Sequence, residues 1–429
     1  MNIIAAAVLA LLITLYAAFA VRLSHWWISM PMVFVAAGFL LGPLGTGTFT
    51  PSLHAEGVRE LTEITLAVLL FADASTLHLQ QLRDDVHPPL RLLTIGLLLS
   101  IALGTMVALS ILPEGLALAA LLGAILAPTD AALGLPVFNN TSVPVRIRRA
   151  LNVESGLNDG IATPFVTLFL AFAAAAVTQA PSGWLGAAVI DIGLAALTGV
   201  AVGAAGGWLV DAATRRGWTS AASQPISILG IGLTAYFAAL ALDANGFIAA
   251  FVSGLLFGAV TRYRFVEPTE FSETLATVLS LLVWAIFGAI LVTEAVRLTT
   301  DWRPILFAGL SLTLARMIPV AVAMLGTGFR SDTVLLMGWF GPRGLASVVF
   351  TLVALVELEA AGQPIDTLVA AATWTILLSV VLHGLTAQPL AAWYSRRLQR
   401  ATGQPAELVE LRELRGRHRA LVSPPADHK

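Results

Sequence analysis

Hydrophobic positions along the chain fall into runs of about twenty residues, the length that crosses a bilayer's hydrocarbon core as a helix. The runs cover approximately 3–21, 28–45, 58–77, 88–112, 115–138, 150–178, 186–210, 225–242, 244–260, 271–293, 304–325, 332–356 and 366–392. The pattern predicts an all-α polytopic membrane protein with about thirteen transmembrane helices. The ninth run is short, and Arg59, Glu60 and Glu63 weaken the start of the third. The first run has no basic residue ahead of it and leads into another run, as expected of a membrane helix rather than a cleaved signal peptide. Residues 1–395 thus form one transmembrane domain. Residues 396–429 form a short tail whose "ELVELRELRGRHRALV" suits a solvated amphipathic helix.

Two runs are interrupted. The fifth, "LLGAILAPTDAALGLPVF", has Pro128 followed by Thr129 and Asp130. Proline removes a backbone donor and clashes with the preceding turn, while Thr and Asp favour a new helix start. The twelfth, "LLMGWFGPRGLASVVF", places Gly341, Pro342 and Gly344 around Arg343. A matched pair of broken spans is the sequence sign of a secondary transporter's binding site. Half-helix ends carry partial charge, so Asp130 is expected to offset an end in the fifth span and Arg343 an end in the twelfth.

Composition agrees with a membrane protein. The chain is 57% hydrophobic and 12% charged, with a mean hydropathy of +0.85, against about 25% charged in soluble domains. A formal net charge of −2 argues against a nucleic-acid partner. There is no cysteine, which removes disulfides, thiol catalysis and thiolate metal sites. Basic residues set the orientation. Loops on one side hold Arg22, Arg83, Arg91, Arg146, Arg148, Arg149, Arg215, Arg216, Arg262, Arg264 and Arg330, with Arg396, Arg397 and Arg400 at the tail's base; the other side has Arg59, Arg297 and Arg303. The positive-inside rule then predicts an outside N-terminus and a cytoplasmic C-terminus.

The candidate chemistry lies in "NVESGLNDGIATP", residues 152–164, at the head of an uncharged run. A carboxylate at mid-bilayer costs roughly 2.5–3.5 kcal/mol even on insertion scales. Glu154 and Asn158, and Ser155 and Asp159, are four apart, which puts them on one polar stripe of a helix. Gly156 and Gly160 allow close backbone approach. Arg316 in "LTLARMIPV" needs an anion inside the bundle, and Glu154 is its expected partner. Asp159 then requires either a proton or a cation to neutralise it in a low-dielectric site.

The stretch "ESGLNDGIA", with "APTD" in the preceding span and "LAR" and "GPRG" in later ones, resembles the bacterial NhaP-type sodium/proton antiporters. These belong to the cation:proton antiporter-1 family, related to animal sodium/proton exchangers. The likeness covers residues 1–395. It implies an inverted-repeat fold in which the fifth and twelfth spans cross. Spans four to six and eleven to thirteen would form a mobile core, and spans one to three and eight to ten the dimer side. By position, Asp159 resembles the aspartate that binds cation or proton, Ser155 a side-chain ligand and Thr129 a backbone ligand in the break. Asn158 stands where electrogenic relatives carry a second Asp. Glu154 and Arg316 resemble the family's ion bridge, and Asp130 and Arg343 the charges of the crossed helices. Asp73 in "LLFADASTL" resembles an acidic residue near the cytoplasmic entrance, although relatives often have Glu there. The break also departs from the family in having Pro ahead of Thr-Asp rather than behind it.

The expected function is therefore electroneutral Na⁺(Li⁺)/H⁺ exchange by alternating access, with K⁺/H⁺ exchange on the same fold as the first alternative and a cation channel as the second. No nucleophile–base pair or metal cluster marks an enzyme, and no cofactor is expected. The expected partners are the transported ions, the lipid bilayer of a bacterial or archaeal inner membrane, and a second copy in a homodimer.

Overall fold

In a computed structural model, the described residues are 3–52, 56–76, 85–130, 133–134, 137, 140–178, 183–220, 223–261, 268–400 and 405–408. All regular structure among them is helical. In chain order the helices are α1 (Ile3–His25), α2 (Met30–Leu41), α3 (Glu56–Ser75), α4 (His87–Ile111), α5 (Leu116–Ile125), α6 (Val145–Thr178) and α7 (Trp184–Arg215). Next come α8 (Ser223–Leu240), α9 (Gly246–Val260), α10 (268–298), α11 (Arg303–Ala323), α12 (Ser331–Trp339), α13 (Leu345–Ala360) and α14 (Asp366–Gln399). Eight of these helices are long and apolar enough to cross a membrane, while α2, α5 and α9 are shorter apolar helices. The chain is a multi-pass membrane protein.

Several boundaries differ from the hydropathy pattern. Helix α6 begins at Val145, one turn ahead of the apolar run, because Ile147 and Leu151 are buried against Val320, Leu336, Met337 and Tyr394. Arg146, Arg148 and Arg149 are therefore in the first turns of a helix rather than in a loop. Helix α14 continues to Gln399 by burying Ala391, Tyr394 and Leu398 in the same cluster, so residues 396–399 belong to it and not to the tail. Of the tail, residues 405–408 are described and contain a single 3₁₀ turn; residues 409–429 lie outside the described residues.

With little hydrophobic drive between helices in lipid, close packing depends on small residues. A Cβ built on Gly203 of α7 would stand 2.4 Å from the Ser253 carbonyl oxygen of α9, so the two backbones touch directly there. The main apolar core draws on α3, α5, α6, α9, α10, α13 and α14, with Phe71, Leu121, Trp284, Phe287 and Phe350 among its buried members. It takes in Leu126 and Ala127 at the first interruption, after α5, and Leu345 and Ala346 just past the second, between α12 and α13. At the crossing, the Asp130 N–H donates to the Pro342 carbonyl at 2.8 Å.

Candidate functional site

Each interruption leaves helix-end groups with no partner of their own, and the two segments supply them to each other. Arg343, 1% exposed, donates from Nη1 to the carbonyls of Ala127 and Pro128 at 2.8 and 3.2 Å, beyond the C-terminal end of α5. Its Nη2 points at the Ser311 carbonyl of α11 at 3.5 Å. Asp130 Oδ2 accepts from the Leu345 N–H at 3.1 Å, at the start of α13, and Ser347 Oγ donates to the Ile125 carbonyl at 2.7 Å. The cation thus faces a negative helix end and the anion a positive one. Each charge also reaches across the crossing to the other segment, a contact the residue pattern did not indicate.

Glycines make the approach possible. A Cβ at Gly344 would lie 2.0 Å from Asp130 Cβ, and one at Gly341 would lie 2.2 Å from Arg316 Nε. Arg316, 2% exposed on α11, grips Glu154 of α6 with both guanidinium nitrogens, at 2.5 and 2.9 Å. This planar fork satisfies two buried charges at once, the geometry a buried pair needs to offset its desolvation.

One turn further along α6, Asn158 Nδ2 donates to Thr129 Oγ1 at 2.7 Å, and Thr129 Oγ1 and Ser155 Oγ are hydrogen-bonded at 3.2 Å. All three residues are at most 3% exposed. The structure therefore brings Thr129, Ser155 and Asn158 into a single hydroxyl–amide cluster between the α5 break and α6. Asp159 follows directly and is half-buried, and its carbonyl accepts from Thr163 Oγ1 at 2.8 Å. Its other neighbour, Gly160, lies so close to α9 that a Cβ would stand 2.1 Å from the Phe251 ring. Asp73 is also half-buried, near the end of α3, a helix packed against α6.

Ser379 and His383 of α14 were given no part by the residue pattern. Ser379 Oγ accepts from the Arg343 N–H at 2.7 Å, and His383 Nε2 is hydrogen-bonded to the Trp339 carbonyl at 2.8 Å. Both hold the second break in place. Their four-residue spacing marks one helix face, but nothing in that spacing points to the break. Among the described residues, no group of three or more His, Asp or Glu is placed to hold a metal ion. The site consists of hydroxyls, one amide and carboxylates, donors that suit a weakly held hard cation.

Across residues 7–393 the chain matches the family described as sodium/hydrogen exchanger, transmembrane. It is 24% identical over 376 residues to a K(+)/H(+) antiporter NhaP of Alkalimonas amylolytica, covering 87% of this chain and 63% of that one. It is 28% identical over 306 residues to the Na(+)/H(+) antiporter NhaH of Halobacillus dabanensis, covering 68% and 72%. Against the K(+)/H(+) antiporters it resembles, the chain spans under two thirds of their length, 63% for NhaP and 56% for NhaP2 of Shewanella baltica. The fold is similar to that of the sodium proton antiporter MjNhaP1 from Methanocaldococcus jannaschii at pH 8, with a TM-score of 0.76 and 21% identity over 91% of this chain and 99% of that one.

Proposed function

The chain belongs to the transmembrane sodium/hydrogen exchanger family, and on that footing we propose that it is a monovalent-cation/proton antiporter, exchanging Na⁺ or Li⁺ for H⁺ without net charge movement. The observation that carries this reading is the hydroxyl–amide cluster of Thr129, Ser155 and Asn158 beside Asp159, at a crossing whose helix ends are already neutralised by Asp130 and Arg343. Asp159, half-buried and directly after Asn158 on α6, is the carboxylate we assign to the guest.

Asp159 carrying a proton is neutral, and Asp159 carrying Na⁺ is neutral. Bare, it holds a charge that is costly to move through an apolar barrier. Only loaded sites cross, and the two loads exclude each other, so one cation is exchanged for one proton. Ser155 and Thr129 contribute oxygen ligands to the cation, with Asp73 nearby on α3. Asn158, in place of a second acid, keeps the exchange electroneutral. Glu154–Arg316 and Asp130–Arg343 are structural charges that do not turn over.

In this reading α4–α6 and α11–α14 form the moving core, and α1–α3 with α8–α10 the scaffold through which two copies dimerise. The N-terminus lies outside and the tail in the cytoplasm of a bacterial or archaeal cell. A K⁺/H⁺ exchanger is the second reading, favoured by the relatives named as K(+)/H(+) antiporters. Proton flux in everted vesicles on adding Na⁺, Li⁺ or K⁺ across a pH series separates the two. Absence of proton movement with every cation rejects both.

A further inference from the structure

Glu407, only 1% exposed, is the buried end of a chain segment that the ion site does not use. Its Oε1 accepts from the Arg330 N–H at 2.8 Å and from Thr333 Oγ1 at 2.6 Å. Arg330 is the N-cap of α12, and its own side chain makes no cap bond; the tail supplies an acidic side chain there instead, at the positive end of the helix. Thr333 Oγ1 is also bonded to Tyr394 OH of α14 at 2.9 Å, and Asp332 bridges Arg330 and Arg397, each at 2.9 Å. One residue back, the Ala406 carbonyl accepts from Arg146 Nη1 at 2.8 Å, in the first turn of α6. Arg146 is itself gripped by Asp85, ahead of α4, at 2.6 and 2.9 Å.

Ala406 and Glu407 thus join the start of α6 to the start of α12, and those two starts are bonded in turn to Asp85 ahead of α4 and to Tyr394 and Arg397 at the end of α14. At its other end α12 is fastened to α14 through His383 and the Trp339 carbonyl, and through Trp339 Nε1 and Thr386 Oγ1 at 2.9 Å. Nine helical residues span roughly 14 Å, so a shift at the start of α12 is carried directly to the break at Arg343. Ile147 and Leu151 of α6 and Leu336 and Met337 of α12 belong to one buried apolar cluster, and apolar packing holds less firmly against sliding than directional bonds.

Resting on the core-and-scaffold reading above, we propose that Pro405–Leu408 is a clasp that stays closed throughout transport. Glu407 is its positioning residue, holding α6 and α12 in register so that Asp159 and Arg343 travel as one body. All the partners named for the clasp lie on the core side.

The absence of cysteine makes the test direct. A Cβ on Gly328 would lie 3.6 Å from Ala406 Cβ, within the range of about 3.5–4.5 Å for a disulfide. Gly328→Cys/Ala406→Cys is made in the full chain, alone and with Glu407→Ala, and assayed oxidised and reduced. Because Gly328 has φ +77, the reduced pair is the reference for its own oxidised form. The clasp predicts that oxidation leaves the exchange rate of the pair unchanged. Glu407→Ala should lower Vmax by roughly tenfold through a smaller aligned population, with little change in cation KM, and oxidation should restore it. Glu407→Gln, which keeps the acceptor oxygen, should stay near wild type. If oxidation stops transport and reductant restores it, the tail must open each cycle and the clasp is wrong; an unaltered rate in Glu407→Ala also overturns it. Should the wild type move no cation at all, the antiporter reading fails, and melting in detergent still decides the clasp. Glu407→Ala should then melt lower than wild type and recover on oxidation, and an unchanged melting temperature refutes it.

Discussion

Arg316 on α11 holds both carboxylate oxygens of Glu154 on α6, at 2.5 and 2.9 Å, with both side chains buried. The pair spans 162 residues of sequence and fixes the helix that carries Asp159 to the helix that lies behind the second break. Removing one partner strands a buried charge, which costs about 3–5 kcal/mol. Glu154→Ala and Arg316→Ala should each lower thermal stability sharply, and the double variant should be less damaged than the sum of the two. A double-mutant cycle with no coupling energy would show that the contact carries no weight.

Asp159→Asn cannot alternate between a proton and a cation. It should abolish exchange in everted vesicles at every pH. Robust pH-dependent cation transport by this variant would remove Asp159 from the mechanism.

Asn158→Asp adds a second carboxylate to the cluster with Thr129 and Ser155. Wild-type exchange should be indifferent to an imposed membrane voltage. The variant, if it transports, should respond to one, since a moved charge is worth roughly 2.3 kcal/mol per 100 mV.

Arg343→Lys keeps the charge but loses the fork that reaches the Ala127 and Pro128 carbonyls and the side of Ser311. A lysine is a point donor on a flexible stem and does not reproduce that spread. The variant should be less stable and slower, and Arg343→Ala more so. Detergent melting and initial rates measure both.

Gly341→Ala introduces a methyl group where 2.2 Å separates the built Cβ from Arg316 Nε. The guanidinium must move and loosen its grip on Glu154. Overpacking of this kind costs about 1–3 kcal/mol, so the melting temperature should fall. In an Arg316→Ala background the same substitution should cost much less, because the clash is gone.

Much of the architecture could be read directly from the residues. Run lengths identified a helical membrane protein, and Pro128 and the Gly-Pro-Arg-Gly stretch marked both interruptions. The i, i+3 and i, i+4 spacing of Glu154, Ser155, Asn158 and Asp159 put the polar stripe on one helix. The extra turn of α6 before the apolar run was less legible, since Arg146, Arg148 and Arg149 resemble loop residues until Ile147 and Leu151 find a buried surface. Ser379, His383 and Glu407 were silent for the same reason. Each is an ordinary polar residue whose role exists only once a distant backbone group is brought to it.

What the sequence alone determined is what depends on local spacing and on transfer from water: helices, their membrane setting, the two breaks, the family and the stripe bearing Asp159. What tertiary structure decided is which charge meets which helix end. Two opposite charges and two broken helices can be neutralised within each segment or between segments, and composition is the same either way. In the structure both charges make bonds across the crossing, Asp130 with the Leu345 N–H and Arg343 with the Ala127 and Pro128 carbonyls. Side chains at a crossing meet the partner helix's unpaired backbone groups within hydrogen-bond reach, and spacing along a single chain cannot encode that proximity.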